Sequence, residues 1–145
     1  MEKGIVASAA SVRGIIDIPP GPAWEMLSAF KGIEEFSPIA KCQVEGEGEG
    51  AKRTCIMPDG TAIKERLIRV DHELMKLAYE MLESPLPVTH YKAFVHVTPE
   101  GTGSCEVHYS STYLIKEELE EEVMLQLRGV YTEIIYGLER YIKVA

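Results

Sequence analysis

From Lys52 to Leu114 apolar side chains recur at nearly every second position, and after that the period changes for good. Alternation of this kind marks strands with one buried and one wet face. From 116 to 142 the step becomes three and four. Leu119, Val123, Leu127, Val130, Ile134, Leu138 and Tyr141 then fall on one stripe of a single long helix. Glu117, Glu118, Glu120, Glu121 and Glu122 crowd its first turns, where acids complement the helix dipole. Consecutive antiparallel strands followed by one amphipathic helix leave few architectures open, because the apolar faces must cover each other. A single helix laid on a strongly curved sheet leaves a gap between them. Gly129 and Gly137 sit inside that helix at a cost of about 1 kcal/mol each relative to Ala. Either they lower its profile over the gap or they pack close against neighbours.

Turn chemistry sets the expected registers. In Met57-Pro58-Asp59-Gly60-Thr61, Pro pre-sets φ, Asp supports the turn and Gly accepts the left-handed conformation. Pairing Met57 with Thr61 brings Cys55 opposite Ile63 and Arg53 opposite Glu65. Opposed residues share a face, with Cβ atoms about 4.5–5.5 Å apart. A turn at Asp71-His72-Glu73 pairs Arg69 with Met75, Leu67 with Leu77 and Glu65 with Tyr79. A turn around Pro99 to Gly103 pairs Val97 with Cys105, Ala93 with Tyr109 and Tyr91 with Ser111. The inner face then carries Leu67, Leu77, Tyr79, Met81, Tyr91, Ala93, Val95, Val107, Tyr109 and Tyr113. The outer face carries Lys64, Arg66, Lys76, Glu80, His90, Lys92, His96, Glu106 and His108.

The N-terminal third is less regular. Residues 4–17 alternate like a strand and stop at Pro19-Pro20, which cannot continue a ladder. A short helix starts at Pro22, and a second helical piece runs from Ile33 to Phe36 until Pro38 stops it. Val44 to Gly50 reads as a solvated turn between two strands, since its alternating acids fit no EF-hand spacing.

The 145 residues suit one domain, 1–145, burying roughly 68–70% of its unfolded-chain surface. A net charge of −8 argues against nucleic acid, which needs a basic patch, and against an anionic membrane surface. Neither a signal peptide nor a membrane span is legible at the N-terminus. Cys42, Cys55 and Cys105 are odd in number and form no CxxC, which points to a reducing cytoplasm without a disulfide framework.

Several short motifs recur in a familiar order: Ile18-Pro19-Pro20 with Ala23-Trp24, Phe30 with Phe36-Ser37-Pro38, and Gly46-Glu47-Gly48. Gly50-Ala51-Lys52-Arg53, Lys64-Glu65-Arg66-Leu67 with Asp71, and Leu86-Pro87-Val88 with Tyr91 follow. Together they resemble the START/Bet v 1-like superfamily, nearest its polyketide cyclase/dehydrase-like branch, which includes lachrymatory-factor-synthase-like proteins and abscisic acid receptors. The resemblance implies an α+β helix-grip fold: a curved seven-stranded antiparallel sheet wrapped around a long C-terminal helix, with two short helices after strand 1. It also implies a deep apolar cavity holding a small hydrophobic molecule. In the receptors, loops matching Met57–Thr61 and Glu83–Thr89 gate the cavity, and those gate sequences are not preserved here. In the lachrymatory-factor-synthase-like enzymes, an Arg and a Glu matching Arg53 and Glu65 handle protons.

Two opposite charges on an apolar surface need a reason, because burying charge is costly unless it is paired or used. Arg53 and Glu65 are therefore either a polar anchor and proton shuttle or a structural ion pair between strands. Arg stays protonated and can only donate. Desolvation and the adjacent cation pull the acidity of Glu65 in opposite directions. Tyr79, Tyr91, Tyr109 and Tyr113 supply apolar area with hydroxyls that seek partners, as ligand contacts or as core. The expected ligand-contacting set is Arg53, Cys55, Met57, Ile63, Glu65, Leu67, Tyr79, Tyr91, Ala93, Tyr109, Ser111 and Tyr113 on the sheet. Leu127, Val130, Tyr131 and Ile134 complete it on the helix. Cys55 reads as a small buried hydrophobe or, beside Arg53, as a nucleophile. His90, His96 and His108 read as solvated rather than as a zinc site, and neither metal nor cofactor is implied. The expected function is binding of a small hydrophobic or amphipathic molecule. The rivals are a cofactor-free cyclase, dehydratase or isomerase using Glu65 and Arg53, and an interaction protein whose gate loops dock an unidentified partner.

Overall fold

Pro19 and Pro20 decide where the first strand stops. In the computed structural model, which describes residues 4–144, β1 (Ile5–Ile16) ends just before them, and α1 (Pro20–Ser28) starts on Pro20 itself. A proline at the first helical position forfeits no hydrogen bond, so the helix begins two residues earlier than Pro22 suggested. The second helical piece is one 3-10 turn, Ile33–Glu35. Then come β2 (Lys41–Glu45), β3 (Lys52–Ile56), β4 (Ala62–Asp71), β5 (Lys76–Glu83), β6 (Val88–Glu100) and β7 (Ser104–Lys116). A 3-10 turn at Glu117–Leu119 leads into α2 (Glu120–Val144). Met1, Glu2, Lys3 and Ala145, which fall in the expected domain span, lie outside the described residues.

The seven strands form one antiparallel sheet in the order β1-β7-β6-β5-β4-β3-β2, the curved sheet and C-terminal helix of the Bet v 1 helix grip. The expected inner-face residues of the sheet are buried, apart from a half-buried Met81. α2 closes the open side with Val123, Leu127, Tyr131, Ile134, Ile135 and Leu138. Two glycines let it come close. A Cβ on Gly14 of β1 would press on Ile135, and one on Gly137 would overlap the carbonyl oxygen of Phe36. Gly137 is thus a packing residue. Gly129 has open space around it, so neither reading of the helix glycines accounts for it.

Two expected registers are wrong: by two residues over 65–67 and 92–100, and by three at Arg69, which pairs with Ala78 rather than Met75. Leu67 pairs with Tyr79 and Glu65 with Met81, not with Leu77 and Tyr79. The connection after Asp71 is three residues longer than expected, and a bulge at Ile68 takes back one, leaving the step of two; a second bulge lies at Leu82. At the next hairpin Val97 pairs with Val107, Val95 with Tyr109 and Ala93 with Ser111. Pro99 does not end β6. The β5 ladder stops at Lys76↔His96, so the missing amide of Pro99 faces no strand, and the turn moves out to Gly101, whose φ is +70°. A slip of two returns a side chain to its own face, which is why the inner and outer sets survive there. Past the Ile68 bulge the parity of β4 changes, and Val70 turns toward the core opposite Leu77.

Candidate functional site

The β3–β4 hairpin places the charged pair. Met57 N–H donates to the Thr61 carbonyl at 2.9 Å, Asp59 Oδ1 accepts from Thr61 N–H and Oγ1, and Gly60 takes φ +89°. Four residues down the ladder Arg53 faces Glu65. Arg53 Nε donates to Glu65 Oε1 at 2.9 Å, and Nη2 lies 2.8 Å from the same oxygen. Arg53 is 4% exposed and Glu65 7%. Nη1 donates to the Phe30 carbonyl at 3.3 Å, and the guanidinium lies 4.0 Å above the Phe30 ring and 5.3 Å from that of Tyr79. Phe30 has φ +64°, a left-handed conformation unusual for an aromatic residue, and Arg53 holds both its ring and its carbonyl. Burial disfavours the guanidinium charge, but Glu65 together with Tyr79, Tyr109 and Cys55 outweighs it and holds Arg53 protonated well beyond any working pH.

Beside this pair lie two hydroxyl clusters. Tyr79 and Tyr109 share a hydrogen bond. Tyr131 donates to Ser111 Oγ at 2.6 Å, so its oxygen accepts from Tyr91. A bulge at the β6–β7 ladder, with His90 at φ +56°, turns Tyr91 inward against Tyr113. Tyr109 stacks on Tyr131 at 4.4 Å, linking the clusters through their rings. Burial pushes all four phenols up, Tyr131 to about 12 although its hydrogen bonds with Ser111 and Tyr91 pull the other way.

These groups surround a cavity of about 90 Å³ between sheet and helix. Of the expected set, Arg53, Cys55, Met57, Ile63, Glu65, Tyr79, Tyr91 and Tyr109 line it from the sheet, with Leu127, Val130, Tyr131 and Ile134 from α2. Leu67, Ala93, Ser111 and Tyr113 do not. Leu67 and Ala93 are inner-face residues packed away from the opening, and Ser111 stands behind Tyr131 as its acceptor. Tyr113 borders a separate surface hollow near Ser8 and Glu120. Ile33, Pro38, Ile39, Met81 and Leu86 line the cavity and were not expected. Met81 alone had a signal, its inward parity; the others come from connections, which carry no period. The cavity is also much tighter than the deep one the resemblance implied, because the tyrosines fill its middle.

Cys42 and Cys55 are direct partners across β2 and β3. A hydrogen bond to Cys42 and then burial push the Cys55 thiol far up, so it is no thiolate, whereas the same bond lowers Cys42. On the outer face His96 and His108 are cross-strand partners and His90 sits at the distant bulge. Among the described residues no cluster of three His, Cys, Asp or Glu has the geometry to hold a metal, and no helix is long and apolar enough to cross a membrane.

Residues 9–143 match the model of a family described as polyketide cyclase / dehydrase and lipid transport. The chain belongs to this family. No curated protein matches it in sequence. Among solved structures, the protein XoxI from Bacillus cereus is similar at a TM-score of 0.84 and 23% identity, covering 92% of this chain and 94% of that one. Truncated norcoclaurine synthase from Thalictrum flavum is similar at 0.81 and 21%, covering 98% and 97%. The same enzyme in complex with dopamine and hydroxybenzaldehyde matches at 0.78 and 22%, covering 96% and 88%. Identities this low show the shared fold. Family and fold together support a role built on the cavity, in binding or in catalysis.

Proposed function

We propose that this chain binds a small, mainly apolar molecule carrying one hydrogen-bonding group, between the sheet and α2. The observation that carries the reading is a buried ion pair set in an otherwise apolar cavity wall. Both guanidinium contacts fall on Glu65 Oε1, which leaves Oε2 as the oxygen available to a ligand. The hydroxyls of Tyr79, Tyr91, Tyr109 and Tyr131 offer further partners, while Ile33, Leu127 and Ile134 receive the apolar body. The cavity of about 90 Å³ holds several waters, and a ligand that outgrows it meets the loop-borne Met57 and Leu86. That a fold neighbour holds dopamine and hydroxybenzaldehyde supports the same scale of guest, small and aromatic with a polar end.

A catalytic reading rests on the same two residues: Arg53 fixed as a cation, and a carboxylate with one uncommitted oxygen, could move a proton without a cofactor. Native mass spectrometry of freshly purified protein tests the first reading. A co-purifying small molecule, or saturable binding of ANS or a fatty acid with a rise in melting temperature, is expected. Failure of all of these overturns it. Glu65→Gln separates the two: a binder keeps most of its affinity, whereas an enzyme binds and loses turnover.

A further inference from the structure

We propose that Cys42 and Cys55 form an oxidisable pair that a hydroperoxide converts to a disulfide in the cavity wall. The geometry comes from hydrogen-bond parity. Met57 bonds β4 through its amide, so Cys55, two residues before it, also bonds β4 and leaves its pairing to β2 free of hydrogen bonds. Opposed residues at such a position have Cα atoms about 4.5 Å apart and share a face, inside the disulfide range of about 4.4–6.8 Å. β2 is an edge strand of five residues, bonded on one side only, so the small closing movement meets little resistance. Cys42 is half-buried and Cys55 buried, and both are free thiols. That sets the order of events: the oxidant meets Cys42, and Cys55 resolves from within.

In the first step the Cys42 sulfur attacks the peroxide. The O–O bond breaks, an alcohol (water from hydrogen peroxide) leaves, and Cys42 becomes a sulfenic acid. The Cys55 sulfur then attacks Cys42; the S–S bond forms, the S–O bond breaks, and the Cys55 proton departs with the hydroxyl as water. Two thiols lose two electrons and the peroxide gains them. The neighbouring Cys55 thiol favours the Cys42 thiolate, with burial opposing and Arg53 helping. Closure pins β2 to β3 two residues from Arg53 and removes a thiol from the cavity wall.

Cleavage at Lys41, Lys52, Arg53 and Lys64 separates the partners into peptides 42–52 and 54–64. Reduced protein treated with one equivalent of hydrogen peroxide, alkylated and digested without reductant should yield these two joined, lighter by two hydrogens. Cys105 should remain alkylated, and dithiothreitol should reverse the link. In Cys55→Ser, the sulfenic acid at Cys42 should persist and react with dimedone. Accumulation of Cys42 sulfinic acid with Cys55 still alkylated, or oxidation of Cys105 at an equal rate, overturns the proposal. Because the native chain is read without a ligand, these outcomes are independent of whether the cavity binds one.

Discussion

Breaking the Arg53–Glu65 pair from one side should cost far more than removing both. The charges are 4% and 7% exposed and lie 2.8–2.9 Å apart, so neither can recover hydration when its partner goes. An uncompensated buried charge of this kind costs about 3–5 kcal/mol. With Glu65→Leu, the guanidinium keeps only the Phe30 carbonyl and two aromatic faces. With Arg53→Met, the carboxylate loses both donors. The double variant Arg53→Met/Glu65→Leu removes both desolvation penalties and should lie within about 1 kcal/mol of the parent or above it. The coupling energy from the cycle is therefore at least about 5 kcal/mol. At about 2–4 °C per kcal/mol for a chain near this size, each single variant should melt about 6–20 °C lower. Urea denaturation followed by circular dichroism at neutral pH gives all four corners. Single variants each within about 1 kcal/mol of the parent would mean that the pair is solvated, and the case for a charged anchor in the cavity wall would fall.

The two glycines of α2 should respond with opposite signs. Gly129→Ala, in open space, should stabilise by about 1 kcal/mol, whereas Gly137→Ala should destabilise despite the same helical gain, both read as urea midpoints. Ser111→Ala leaves the buried Tyr131 hydroxyl without its acceptor and should cost about 1–3 kcal/mol; an unchanged midpoint would deny that bond its role. Alkaline pH should destabilise the protein. Burial raises Tyr131 from 10.0 to about 12, so the unfolded chain releases this proton first. The contribution is intact below pH 10 and is lost as pH rises toward 12, about 3 kcal/mol for this group. A tyrosinate absorbance titration checks it, and four phenols ionising at the ordinary value would refute it.

Parity made most of the sheet legible. Arg53 faced Glu65 on paper because a Pro-Asp-Gly turn leaves one reasonable loop length, and the ladder below it has no bulge. Where bulges intervene, at Ile68, Leu82 and His90, the register shifts by one residue and parity is interrupted, so that past Ile68 it is Val70 that turns inward. The site suffered more than the fold. Ser111 and Ala93 point inward like the tyrosines around them, yet lining the cavity also depends on which neighbour stands in front, and Tyr131 stands before Ser111. Ile39 and Leu86 come from connections whose course is set by what they pack on.

By itself the sequence determined the order of elements, the inward set of each strand, the stripe of the last helix and the meeting of guanidinium with carboxylate. These follow from side-chain periods and turn chemistry, which act over a few residues. Only the tertiary structure decided how much space remained inside. The height of α2 above the sheet depends on Gly14 and Gly137, and the reach of four tyrosines across that height consumes the hollow down to about 90 Å³. A volume left over between packed surfaces is a small difference between large ones, and no local pattern encodes it.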